Sequence, residues 1–330
     1  MSTTIDSSLG VANEDRGPAL RIYVITLFIV ALIATLLRFW SRALYIPQGR
    51  QFHRFWWDDW IALAATFAFT LEVVVILLLI KSGLGRHIEA LSMPQLATTY
   101  KYLFAFRFVY VVTVPLSKAS ALLFLTRIFP DYKITAWFNV IVWIMHILNI
   151  LWFIGIIVAT FLSCNPIKKG WEPWVTGTCR STHELYLGSA VPSVFIDLII
   201  LLLPMPRVWN LRTGIARRCA ITALFVLGYI VVIASLGRLV ATYTEAVGLE
   251  TDITYGGLAI FYWTYAESAV LIVSISLPAM PNLLSYLRKD LSHSVKTKLA
   301  FVFNCGPSRS SSSTSREDKV YCAAANESFA

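Results

Sequence analysis

The chain has 330 residues, 57% of them hydrophobic and 14% charged, with a formal net charge of +9, where soluble domains carry about 25% charged residues. A mean hydropathy of +0.66 excludes an ordinary water-soluble domain. The positive charge gathers in alternate connections between long apolar runs, a placement that excludes a nucleic-acid-binding face and leaves the lipid bilayer as the first partner.

Residues 1–19 are expected to form an external N-terminal tail, of which the first eighteen are polar and slightly acidic. They lack the charged-then-apolar order of a signal peptide, so the first apolar run is expected to act as its own membrane-targeting signal. Seven runs follow: Leu20–Trp40, Trp57–Ile80, Leu103–Phe129, Ala136–Leu162, Leu185–Leu203, Ala220–Thr242 and Leu258–Leu277. Each holds about 20 or more mostly apolar residues, enough to cross a ~30 Å hydrocarbon layer as a helix. The fold class expected is therefore all-α, a polytopic bundle of seven transmembrane helices over residues 20–284, with a tail over 285–330. One face of the bundle collects Arg42, Arg50 and Arg54, then Arg127 and Lys133, then Arg207, Arg212, Arg217 and Arg218, then seven basic residues of the tail. That makes 16 against seven on the other face. Short cytoplasmic loops concentrate Lys and Arg, so the N-terminus is expected outside and the C-terminus in the cytoplasm. The Asn326-Glu327-Ser328 sequon then lies on the unglycosylated side.

Asp58 and Asp59 open the second run and are expected to cap it, satisfying orphan N–H groups. Trp56, Trp57 and Trp60 beside them suit interfacial anchoring. Gly83 and Gly85 suit a helix end that turns sharply. Arg127, at the end of the third run, is expected to reach toward lipid phosphates. Pro115, Pro192 and Pro278 each remove a backbone hydrogen bond and are expected to bend their helices. His146, alone in the fourth run, reads as a hydrogen-bonded core residue. Cys164 and Cys179 share the connection after it and can oxidise there; two free thiols are the alternative. Closing a loop of about fifteen residues stabilises by about 3 kcal/mol on the chain-entropy model. The cysteines and histidines show no metal-ligand spacing, and no cofactor is implied. Leu284, Leu287, Leu291, Val295 and Leu299 recur at helical spacing among basic residues, as in a helix lying on the inner leaflet, and Ser308–Ser315 follow as a stretch that cannot pack a core.

Six ionisable residues fall inside the runs: Glu72, Arg107, Lys118, Asp197, Arg238 and Glu267. Each costs about 2.5–3.5 kcal/mol at the bilayer centre on insertion scales, so they should face the bundle interior. Their signs cancel, which suggests pairing. At 1.5 Å per residue, Lys118 lies roughly 22 Å and Asp197 about 18 Å below the outer starts of their helices. The other four fall in the outer half. The expectation is an inner Lys118–Asp197 contact and an outer network of two arginines with two glutamates, around a polar chamber open to the outside. Such pairs could merely fix helix register, bind a ligand, or carry a proton or ion. A retinal pigment of the familiar kind needs a lysine in the seventh run, which has none; that argues against a photoreceptor.

Taken together, these residues resemble the fungal rhodopsin-like family of seven-span membrane proteins, which includes the Pth-type receptor-like proteins and the satratoxin-cluster membrane protein. The resemblance covers residues 20–285. It rests on Arg38 and Arg42, Asp58-Asp59-Trp60, Gly83-Leu84-Gly85-Arg86-His87, Lys118 with Ser120 and Arg127, Cys164 with Pro166, Trp171 and Cys179, and Asp197, Pro204, Arg238, Glu267 and Pro278. Two positions depart from the family pattern: Leu125 stands where a Tyr is usual, and Ser193 where an Asn often precedes the span 5 aspartate. The resemblance implies a fungal protein, receptor-like by topology and often encoded in secondary-metabolite clusters.

The leading expectation is a receptor-like protein that binds a small lipophilic or polar ligand through Glu72, Arg107, Lys118, Asp197, Arg238 and Glu267, with a cytoplasmic signalling partner at Arg207–Arg218 and the tail. The first alternative is a membrane-embedded cyclase or isomerase using Asp197 and Glu267 as acid and base. A transporter is the second, disfavoured because the seven runs show no duplicated halves.

Overall fold

The computed structural model describes residues 15–44, 56–128, 136–205 and 215–277. Within them run α1 (Gly17–Leu44), α2 (Trp57–Ser82), α3 (Met93–Ile128), α4 (Ala136–Phe161), α5 (Thr182–Leu202), α6 (Ile215–Thr244), the short α7 (Ala246–Thr251) and α8 (Leu258–Ser276). All but α7 are long and apolar enough to cross a bilayer. The N-terminal tail to residue 14, the 206–214 connection, Pro278, the stretch from Leu284 to Leu299, the serine run and the sequon lie outside the described residues, as do the side chains of Arg217 and Arg218.

Outward faces are apolar, as lipid requires: Ile22, Ile33 and Leu36 of α1 and Trp143, Ile147 and Leu151 of α4 are exposed. Only 22% of the apolar stretch of α4 is buried, against 61% in α3 and in α8, so α3 and α8 form the centre. Two apolar clusters fill the interior. One joins α1, α2, α3 and α8 around Phe69, Ile76 and Tyr265; the other joins α3, α4, α5, α6 and α8 around Leu122, Phe138 and Met145. Close approach of α6 to α8 depends on Gly237, where an added Cβ would lie 2.3 Å from the Trp263 ring.

α3 starts at Met93, ten residues before its apolar run, because Ser92 and Gln95 nucleate it early. Gln95 Oε1 accepts from the Ser92 backbone N–H at 3.1 Å, half of a capping box, with Pro94 at the first turn, where its missing N–H costs nothing.

The bundle has two ends. At one, Cys164–Asn165 (β1) pairs antiparallel with Thr178–Cys179 (β2), and Cys164 and Cys179 form a disulfide. Trp171 of this strap packs 5.2 Å from Phe104 of α3, and Lys169 Nζ donates to the Gly177 carbonyl. Replacing both cysteines with serine is expected to lower stability by about 3 kcal/mol through the freed loop, read as a lower thermal midpoint for the purified protein in nanodiscs; an unchanged midpoint would exclude that contribution.

The same end is stapled by Gly83–His87. Gly85, at φ +102°, has no room for a side chain: a Cβ would meet the Gly17 nitrogen at 2.4 Å. Its carbonyl accepts from Arg16 and its N–H donates to Thr254. His87 Nδ1 sits 2.8 Å from Asp252 and its ring stacks on Tyr255 at 3.8 Å. Arg86 pairs with Asp15 at 2.9 Å. Three segments distant in sequence are thereby held as one cap. The opposite end carries Arg38, Arg42 and Arg127 and is called here the arginine end.

Candidate functional site

Four of the six ionisable residues meet in one buried ladder. Lys118 of α3 lies 3.0 Å from Asp197 of α5, and Arg238 of α6 pairs with Glu267 of α8. All four side chains are buried. Serines join the two pairs. Lys118 Nζ donates to Ser193 Oγ at 2.8 Å and to its carbonyl at 3.0 Å, and Ser193 Oγ donates to Glu267 Oε1 at 3.1 Å. The Ser235 hydroxyl of α6 lies within hydrogen-bond distance of both Asp197 and Glu267. It has one proton, so it donates to one carboxylate at a time. Tyr110 Oη of α3 donates to Glu267 Oε2 at 3.1 Å. Two cations and two anions therefore neutralise each other across α3, α5, α6 and α8, which is what burial of charge in a low dielectric demands.

The outer network of two arginines with two glutamates is not what forms. Only Arg238–Glu267 pairs. Glu72 of α2 is buried, accepts from Ser268 Oγ at 3.0 Å and has no cation within ion-pair distance among the described residues. The reason is azimuthal. Successive residues of a helix point about 100° apart: Glu267 turns toward α5 and α6 and Ser268 toward α2, while Arg107, on the helix that packs beside α2, turns toward Tyr186 of α5. Arg107 also stays out. Its guanidinium lies 5.0 Å from the Tyr186 ring centroid, its Nε is buried with no hydrogen-bond partner, and no carboxylate lies within ion-pair distance among the described residues. His146 Nε2 is likewise buried with no hydrogen-bond partner among the described residues, so the core hydrogen bond expected through it is absent at that atom.

The ladder stands between two cavities among the described residues. Toward the arginine end lies one of about 90 Å³, lined by Lys118, Asp197, Leu125, Phe225 and the unpartnered hydroxyl of Ser274. Toward the disulfide end lies one of about 20 Å³, lined by Arg107, Arg238, Tyr110 and Ser189. Both departures from the family pattern touch this region. Ser193 is a rung of the ladder, and Leu125 gives the cavity at the arginine end an apolar wall where a tyrosine would bring a hydroxyl.

A second charged cluster closes the arginine end. The N-cap of α2 falls on Trp56, and Asp59, three residues on, caps the helix start in a capping box, while Asp58 does not. Asp59 Oδ2 accepts from the Trp56 N–H at 3.3 Å, but both carboxylates are taken up chiefly by arginines. Arg38 of α1 lies 2.9 Å from Asp58 and 2.7 Å from Asp59. Arg127 of α3 lies 3.1 Å from Asp58 and 3.3 Å from Asp59, and so turns inward, its guanidinium 5.4 Å from the Trp56 ring, instead of reaching toward lipid. Arg42 sits farther off, at 3.5 Å and 3.9 Å. Among the described residues no group of three His, Cys, Asp or Glu side chains could hold a metal ion.

Residues 37–286 match the family model described as the fungal rhodopsin domain, three quarters of the chain. The chain belongs to the fungal rhodopsin domain family. With its seven apolar helices it is a multi-pass integral membrane protein. Relatives of this fungal rhodopsin family member include the polyenoic acids biosynthesis gene cluster protein Ba17b of Metarhizium anisopliae, 24% identical over 82% of this chain and 75% of that protein. The wortmanamides biosynthesis cluster protein C of Talaromyces wortmannii is 24% identical over 89% of this chain and 80% of that protein. A SAT4 family membrane protein of Emericella nidulans is 26% identical over 61% of this chain and 50% of that protein. The chain is thus a fungal-rhodopsin-like membrane protein related to secondary-metabolite cluster proteins. No solved structure matches it.

Sequence reasoning located the ionisable residues and singled out Ser193 as a departure beside Asp197, but passed over Ser235, Tyr110 and Ser268 as members of the network. A signal was present: each lies within a run near an ionisable residue, and a hydroxyl in lipid-facing surroundings needs a partner.

Proposed function

We propose that this protein is a receptor-like small-molecule binder associated with a secondary-metabolite gene cluster, with the disulfide end outside and the arginine end in the cytoplasm. The observation that carries the reading is the ladder: one chain of charges and hydroxyls ties four helices together and meets a cavity on each side. A ligand in the disulfide-end cavity that draws on Arg238 weakens its hold on Glu267. The Ser235 proton then favours one carboxylate over the other, and α6 shifts against α5 and α8. α6 leads directly into the basic Arg207–Arg218 connection, the surface proposed for a cytoplasmic partner. Such a shift counts as signalling only where the ligand has different affinity for the two arrangements. The relatives' names refer to biosynthesis clusters, which supports a cluster product or intermediate as ligand.

The alternative of an acid/base enzyme draws less support, since Asp197 and Glu267 are both engaged by cations. Metabolite profiling separates the two readings. Strains lacking the gene, or carrying Asp197→Asn with Glu267→Gln, are expected to lose induction of the cluster without accumulating an intermediate. Build-up of an unprocessed intermediate in both strains would assign the protein to catalysis instead.

A further inference from the structure

On the lipid-facing side of α4 and α5 runs an apolar groove of about 530 Å³, lined by Leu148, Leu151 and Gly155 of α4 and by Gly188, Pro192 and Ile199 of α5. Its width comes from two glycines: a Cβ built on Gly155 or on Gly188 meets nothing within 4 Å. Pro192 adds to the opening by withdrawing the N–H that would otherwise pair with the Gly188 carbonyl. From Gly188 to Ile199 the groove follows α5 for about 17 Å at 1.5 Å per residue. Its floor is Trp152, whose Nε1 donates to the Ser189 carbonyl at 3.1 Å and whose ring lies 5.8 Å from Lys118 Nζ.

The groove and the small cavity at the disulfide end share a lining residue, Ile156. That cavity holds Arg107, with no carboxylate in reach among the described residues and a buried Nε lacking a hydrogen-bond partner. Arg238 lines it too, but its charge is committed to Glu267. The cavity therefore presents one uncompensated cation beside an apolar groove on the lipid-facing side, with Ile156 between them.

We infer that this groove binds a long-chain carboxylic acid, its chain lying between α4 and α5 and its carboxylate on Arg107. The guanidinium fork matches a carboxylate in two parallel hydrogen bonds. At about 20 Å³, the cavity has room for about one ordered water, which a carboxylate oxygen can replace and a phosphodiester headgroup cannot. An acid with its head at Arg107 and its tail toward the midplane also lies as lipids of that leaflet do. Access is sideways from the bilayer. Trp152 sets the chain against the same lysine that holds Asp197, so the inference deepens the small-molecule reading above and rests on it for any consequence of binding.

The test uses the full-length protein in phosphatidylcholine nanodiscs and a stearic acid analogue bearing a mid-chain diazirine. Photolabelling is expected on the 148–156 and 188–199 peptides, competed by stearic acid and about tenfold or more weaker for the methyl ester of the probe, the worth of a charge-assisted hydrogen bond. Arg107→Gln is expected to weaken labelling by the acid about tenfold and to leave the ester unchanged. Gly188→Leu, which enters open space and improves helix propensity, is expected to block acid and ester alike. Equal labelling by acid and ester, full labelling of R107Q, or equal labelling by phosphatidylcholine carrying the same diazirine chain would overturn the proposal in favour of ordinary surrounding lipid. Because the acid–ester comparison uses the unaltered protein, it decides the matter even where a variant fails to fold. Binding of the acid with no change in cluster induction would leave this site standing and remove the receptor reading. A different inducer acting in R107Q as in the unaltered protein, with no acid bound, would do the reverse.

Discussion

Lys118→Met is expected to destabilise the protein by about 3–5 kcal/mol, the usual loss when one partner of a buried pair is removed. Lys118 and Asp197 are both almost wholly buried and 3.0 Å apart. The methionine would leave Asp197 with the Ser235 hydroxyl alone, while that hydroxyl is also within reach of Glu267. The lysine's bonds to Ser193 would go as well. Asp197→Leu is expected to cost a similar amount, by stranding the ammonium. The double variant is the informative one. Replacing a buried pair by apolar residues of like volume is often close to neutral, so Lys118→Met with Asp197→Leu should recover most of the loss. Thermal midpoints of the four proteins in nanodiscs give the coupling energy. Additive losses would show that the two side chains do not depend on each other, and the ladder would then lose its inner rung as a unit.

The gap between sequence and structure has a common cause at several positions. Residue spacing along a helix fixes depth, because each residue rises 1.5 Å. Depth placed Lys118 with Asp197 and Arg238 with Glu267 in matching layers. It carries no information on which neighbour a face meets, so Arg107, which turns to Tyr186, and Glu72, which turns to Ser268, were grouped with partners that their faces do not meet. The arginine-end cluster was missed for a related reason. Asp58 and Asp59 follow the pattern of helix-start acids, and nothing local shows that the ends of α1 and α3 converge on them. Contrast the disulfide, where the two cysteines share one short connection and chain length alone limits the choices. The early start of α3 was written locally too, in Ser92-Met93-Pro94-Gln95, but it precedes the apolar run and so falls outside a search keyed to hydropathy. The groove between α4 and α5 is a property of two glycines on different helices, and a single sequence cannot say that Gly155 faces Gly188.

At the arginine end, Asp59→Asn should be far more damaging than Arg42→Gln, although both remove one charge from the same cluster. Three arginines there face two aspartates. Loss of the Asp59 charge would leave three cations around Asp58 alone, with Arg38 wholly buried and unable to reach water. The expected loss is about 3–5 kcal/mol, as for other stranded buried charges. Loss of the Arg42 charge instead brings two arginines to two aspartates. Among the described residues Arg42 makes only the long ion-pair contacts of 3.5 Å and 3.9 Å, so its removal should cost about 1 kcal/mol, the worth of a single ordinary hydrogen bond. Comparable midpoints for the two variants would mean that net charge does not govern this cluster. The larger effect should also be felt in α8, because Arg38 donates to the Ile275 carbonyl as well as to the aspartates. An arginine released from Asp59 is free to move from Ile275, which sits two turns beyond Glu267 on the same helix. Asp59→Asn is therefore expected to loosen the ladder at a distance, seen as faster hydrogen exchange in α8 while the disulfide strap, at the far end of the bundle, keeps its protection.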